Sequence, residues 1–223
     1  MKAKSIIQFL TAMAVFAVGV VLPQELIAHF FAPEMGGVVV GMAAVVNFAN
    51  LDGQSYQEAN PGGLRKVYMI ASRLITGIWP NKTVITAGEI TALPTLVATN
   101  KFAVYDFPDG KASVDSDQNG EPGFQSYKHS AELMIAGFSK GLQAEMQKHL
   151  NAGTVMVVEM NDGQLVVIGA SDNPIFFKKS FKGGKKGNDP RGFTLKGEQD
   201  GFMWDLLPLS STIAATLPVY PVV

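Results

Sequence analysis

The chain of 223 residues contains no cysteine. That absence excludes a disulfide framework, thiolate-bound zinc and a cysteine nucleophile, and leaves the compartment open. Charge is scarce as well. Charged residues make up 17% of the chain, against roughly 25% in ordinary soluble domains, so part of the surface is expected to be covered by something other than water. The 18 basic and 19 acidic residues nearly cancel, and a net charge of −1 gives no global field to hold nucleic acid or an anionic membrane. There are three histidines, His29, His129 and His149. They lack the paired spacing of zinc and metal-hydrolase motifs, and His149 is expected on a helix as a boundary residue rather than a catalyst. No nucleophile elbow, dinucleotide fingerprint, Walker loop or kinase signature is present. The chain is therefore read as a non-enzyme without a cofactor.

What the sequence does have is apolar residues (47%), 23 glycines and 12 prolines. The turn formers are spread along the chain and divide it into short segments, as a β-domain requires. Two regions differ in kind. Residues 1–50 form an apolar segment and residues 51–223 a β-rich domain. Within the first, residues 6–22 carry no charge and include Ile6, Phe9 and Phe16. A second apolar stretch, residues 36–48, contains Gly37-x-x-x-Gly41, a spacing that lets helix backbones approach closely in lipid. Both stretches are short for a membrane span. They are read either as a helical membrane anchor or as arms buried against neighbouring subunits.

The second region reads as strands. Asn60-Pro61-Gly62-Gly63 is a turn ahead of a strand at residues 64–70. Trp79-Pro80-Asn81-Lys82 is another, followed by short strands at 83–87 and 101–107. Residues 124–138 suit a long strand with one solvated face and a bulge near Ser130. Helical spacing of Leu142, Met146 and His149 or Leu150 predicts a helix over 140–150, terminated by Gly153. Asp162-Gly163 between two β-branched runs, 154–160 and 165–170, is the strongest hairpin signal in the chain. A strand at 175–181, a Gly/Lys loop at 182–192 and a last strand pair at 193–198 and 202–209 complete the pattern. The tail Pro218-Val219-Tyr220-Pro221 cannot be a central strand. It is expected as an edge segment or an arm.

Two clusters invite chemistry. Asp115-Ser116-Asp117-Gln118-Asn119-Gly120-Glu121 matches the first half of a calcium loop, but the twelfth position is Ser126 instead of a bidentate glutamate. A solvated polar turn is expected there. Lys178, Lys179, Lys182, Lys185, Lys186 and Arg191 gather positive charge opposed only by Asp189. Few stacking aromatics stand beside them in sequence. A solvated loop is the first expectation, an acidic surface on an adjoining subunit the second and nucleic acid the last. Trp79 and Trp204 are assigned to packing or subunit contacts.

In order, residues 124–209 run through the strand SAELMIAGFS, the helix KGLQAEMQKHL, the hairpin MVVEMNDGQLVVIGASDNP, the loop FKGGKKGNDP and the strand RGFTLKGE. That succession resembles phage tail tube proteins and related virion structural proteins, particularly those of phages infecting Bacteroidetes-like hosts. The upstream Pro61-Gly62-Gly63-Leu64-Arg65-Lys66-Val67-Tyr68 is similar to the family's opening strand, whereas the apolar N-terminal segment departs from it. The resemblance implies a mainly β (α+β) fold, a β-sandwich or barrel with one flanking helix. It also implies homo-oligomeric rings that stack into a tail tube in the virion for DNA or protein to pass, in contact with other virion proteins. Lys182, Gly183, Gly184, Lys185, Lys186 and Arg191 are then the expected inter-subunit contact. The alternative is a membrane-associated particle or envelope protein anchored by residues 6–48.

Overall fold

A computed structural model describes residues 59, 61–187 and 189–221. The expectations for residues 1–50, including Ile6, Phe9, Phe16, Gly37 and Gly41, lie outside the described residues. Within them the chain is mainly β, with several antiparallel sheets and few helices.

The first sheet runs in the order β12 (Leu207–Pro208), β8 (Leu165–Ile168), β7 (Gly153–Met160), β1 (Leu64–Ala71), β4 (Ala103–Tyr105), with β9 (Ile175–Phe176) also paired to β7. Its centre is apolar on both faces. Along β7, Val155 and Val157 point into one core with Ile70, Trp79, Ile90, Phe102 and Leu209. Met156 and Val158 point the other way, into a core shared with Val67, Met69, Leu133, Phe193 and Leu195. A strand covered on both sides needs an unbroken apolar run, and residues 155–158 supply it.

The second sheet has four strands in the order β10 (Lys178–Lys182), β11 (Gly192–Phe202), β6 (Ser126–Ala136), β5 (Ala112–Asn119). Here period-two alternation decides the faces. Ala131 and Leu133 of β6 and Phe193 and Leu195 of β11 face the first sheet, while Glu132 and Lys196 face solvent and pair at 3.3 Å. The helix α1 (Lys140–Gln147) joins this core through Leu142 and Met146. Ser139 caps it, its hydroxyl accepting from the Leu142 N–H at 3.1 Å. A small hairpin, β2 (Ile85–Thr86) with β3 (Glu89–Ile90), and the short α2 (Ser211–Ala214) lie in the segments that cover the other face of the first sheet.

Several expectations are corrected. Residues 115–119, read as part of a polar turn, belong to β5; the turn is confined to the residues between Asn119 and Ser126. The bulge lies on β11 between Gln199 and Phe202, opposite His129 and Tyr127, because the β5–β6 register is continuous through Ser130. Residues 193–198 and 202–209 do not pair with each other, since β11 runs to Phe202 and β12 pairs with β8. The helix ends at Gln147 and the left-handed residue after it is Asn151 (φ 53°), while Gly153 opens β7. The run expected at 175–181 is split into β9 and β10 around the buried Phe177.

Gly197 marks a close approach. A Cβ there would lie 2.6 Å from Ile175 Cγ2 and 3.0 Å from Phe177 Cδ1. Gly197→Ala is expected to cost about 1–3 kcal/mol by overpacking, read as a lower urea midpoint at unchanged slope.

Candidate functional site

Neither edge of the four-stranded sheet has a strand partner among the described residues. Residues directly opposite in an antiparallel ladder share a face, so the register assigns every edge side chain. On β5, Ala112, Val114 and Ser116 turn inward, and Ser113, Asp115 and Asp117 are exposed on the outer face. All five residues of β10 are exposed. Lys178 and Lys182 share the outer face with Lys196 and Gly192, their opposite numbers on β11. Lys179 and Phe181 turn inward, and Lys179 Nζ donates to Gln147 Oε1 at 2.6 Å.

The two edges therefore carry opposite charge. The central strands are already neutralised across the face by Lys128–Glu198 (2.8 Å) and Lys196–Glu132 (3.3 Å). That hydrogen bond to Glu198 raises the Lys128 pKa, and the same contact lowers that of Glu198. Asp115, Asp117, Lys178 and Lys182 have no ion-pair partner among the described residues.

The loop singled out in the sequence joins β10 to β11. Lys182, Gly183, Gly184, Lys185, Lys186 and Arg191 are all exposed. Asp189 organises the loop, its Oδ2 accepting from the Lys185 N–H at 3.1 Å. Gly184 has φ 70°, and a Cβ on it would meet the Asp189 carbonyl at 2.8 Å. Contrary to the sequence reading, aromatics do stand beside this basic cluster. Phe181 lies 4.9 Å from Phe193 and 5.0 Å from Phe138, ring centre to ring centre. Phe138 sits 43 positions before Phe181, and only the β6–β11–β10 pairing brings them together. Phe193 is buried, whereas Phe138 and Phe181 are about half exposed (53% and 45%).

No family model, curated protein or solved structure matches the chain.

A second feature was not legible in the sequence. Tyr105 on β4 reaches α1, its hydroxyl lying 3.1 Å from Glu145 Oε1 and 2.9 Å from His149 Nε2. His149 follows the helix but is buried, not a boundary residue, and the edge of its ring meets Tyr105 and Phe177. Burial lowers its pKa, the Glu145 carboxylate opposing. Burial first, then Glu145, raises the Tyr105 phenol, which remains a neutral hydrogen-bonding group at working pH. Beside this hub lies a groove of about 460 Å³, walled by Val104 and Asp106 of the β4 segment, Leu142 and Glu145 of α1, and Tyr220 and Pro221. Among the described residues no three His, Asp or Glu side chains converge as metal ligands, and Asp115 and Asp117 stand in line along the same face of a strand.

Proposed function

We propose that the chain is a virion structural subunit that assembles with its own copies, edge to edge, into rings and a hollow tail tube. The observation that carries this reading is the pair of unpartnered, oppositely charged edges on one sheet. Three antiparallel steps separate β5 from β10, so the two edges run in opposite directions. A second copy in the same orientation thus meets β5 with an antiparallel β10, and the ladder continues without reversal. A two-fold arrangement would set Asp115 and Asp117 against themselves, or Lys178 and Lys182 against themselves, which is repulsive. Charge accordingly favours head-to-tail contacts, which close into rings or extend as filaments. Continuation also removes both edges, the standing hazard of an open sheet. The exposed loop residues 183–187 and 189–191 at the end of the sheet are suited to contact between rings, as the resemblance to tail tube proteins implies.

The test is negative-stain electron microscopy of the purified full-length protein. Rings or hollow tubes of uniform width are expected. A monodisperse monomer across a wide concentration range overturns the reading. The rival, a membrane-associated particle protein, rests on the sequence of residues 6–48 alone. Detergent dependence of the full chain would support it.

A further inference from the structure

We propose that the groove between β4 and α1 is a docking slot for an extended, lysine- or arginine-bearing segment of another protein, which adds to β4 as a strand. The backbone supplies the first argument. Phe102, just ahead of β4, uses both of its polar groups on the C-terminal segment: its N–H donates to the Pro218 carbonyl at 2.8 Å, and its carbonyl accepts from the Tyr220 N–H at 3.0 Å. Alternate residues of a strand present their backbone groups to the same edge. Val104, two residues on, therefore directs its N–H and carbonyl outward, while Ala103 and Tyr105 serve the ladder to β1. Among the described residues the pairing begun at Phe102 stops there, and neither Val104 group has a backbone partner. The open edge borders the groove.

The walls supply the second argument. Ile135, Leu142 and Met146 offer apolar contact, and the carboxylates lining the groove are Asp106 and Glu145; Glu145 is already paired with Lys148, so Asp106 is the carboxylate left to meet a cation. Tyr105 ties the two walls together through its bond to Glu145, so the slot is held open in advance. Strand addition gives affinity through the main chain and selectivity through alternate side chains. Here the selectivity is for an apolar strand carrying positive charge. A strand rich in carboxylates would be repelled.

The probe is a fluorescein-labelled capped peptide, Val-Lys-Val-Lys-Val, titrated against the full chain and followed by anisotropy. Saturable binding is expected. The same peptide with N-methylated backbone amides, and a Val-Glu-Val-Glu-Val peptide, should each bind at least about tenfold more weakly. Val104→Pro removes the outward donor without touching the β1 ladder and should weaken the lysine peptide by a similar factor. Asp106→Lys, at an exposed position, should do so by charge alone. Equal binding of the N-methylated or acidic peptide, or no binding of the lysine peptide to the folded chain, overturns the proposal. A peptide copying residues 178–187 that binds much more tightly than the probe also overturns it, because the occupant would then be a second copy. Ring formation does not depend on this slot, so Val104→Pro should leave assembly intact.

Discussion

Asp115→Lys with Asp117→Lys should abolish rings and tubes while leaving the subunit folded. Both positions are exposed on β5, and surface changes of this kind move stability by only about 0.5 kcal/mol. The effect falls on the contact between copies. In one sheet Lys178 lies level with Ser113, four β-residues of β5 short of Asp117. The smallest even stagger that pairs the whole of β10 with a neighbour's β5 is about four residues, and it sets Lys178 opposite Asp117 and Phe181 opposite Val114. An odd stagger would turn Phe181 to the solvated face. Spread over four strands, that stagger corresponds to a tilt of about 35°, in the range that closed barrels adopt.

Opposite charges across strands contribute about 0.2–1 kcal/mol per pair, and like charges cost a similar amount. Reversing the direct Lys178–Asp117 pair and the diagonal contacts of Asp115 with Lys178 and Lys182 therefore raises the concentration needed for assembly about tenfold at each contact. Lys178→Glu with Lys182→Glu should fail in the same way, and the variant carrying all four changes should recover assembly. Sedimentation velocity and electron microscopy read all three, with circular dichroism as the control for folding. Wild-type tubes from either single-edge variant would remove the charge argument.

The parts of the fold that were legible from sequence are those whose signals are local. Asp162-Gly163 lies between β-branched runs and makes the β7–β8 hairpin, with Gly163 at φ 86°. Asn81 behaves as a turn former, its side-chain oxygen accepting from the Thr83 N–H at 3.0 Å. Leu142 and Met146 at helical spacing place the buried face of α1. The basic loop was found for the same reason, because its lysines are adjacent in the chain and glycine-flanked.

What was not legible depends on partners distant in sequence. β5 is built from Asp, Ser, Gln and Asn around small inward residues, a composition depleted in strands, and it is held as an edge by β6. The signal that could have found it is the alternation of Ala112, Val114 and Ser116. Asp200-Gly201 looks like a second hairpin turn, yet it is a bulge within β11, with Gly201 at φ 84°. The difference is Phe202, which stacks on His129 at 4.0 Å and so continues the strand past the turn signal. The Tyr105–Glu145–His149 hub joins residues 40 and 44 positions apart, and no spacing rule connects them. The unpaired charges became recognisable as a site only after the register had sorted them from Glu132, Glu198, Lys128 and Lys196.

Acidification from pH 7.5 to about 5 should destabilise the domain through His129. The imidazole is 1% exposed. Its Nδ1 accepts from the Gly169 N–H at 3.4 Å and its Nε2 lies 3.2 Å from the Trp204 carbonyl, so the neutral ring carries its proton on Nε2. A second proton would have to enter at Nδ1, against the Gly169 donor. Burial accordingly lowers the pKa, and the Trp204 carbonyl and Asp205 offset this only in part. His149 shifts the same way for the same first cause, between Glu145 on one side and Lys148 and Lys179 on the other. A histidine whose pKa is lower folded than unfolded contributes its stability in full above the unfolded value of about 6.5 and loses it as pH falls toward the folded value. With both histidines titrating, the slope approaches at most about 2.7 kcal/mol per pH unit.

His129→Gln keeps a buried hydrogen-bonding group without a titration. It should lower stability at pH 7.5 by about 2–3 kcal/mol through loss of the stacked ring, and it should roughly halve the slope between pH 7 and 5. Urea denaturation at the two pH values measures both effects. A variant as steeply pH-dependent as the parent would assign the acid sensitivity elsewhere. The location gives the effect its reach. His129 ties β6 to the Gly169 turn after β8 and to the segment after β11, so its protonation loosens the joint between the two sheets at the end where the β5 edge is presented.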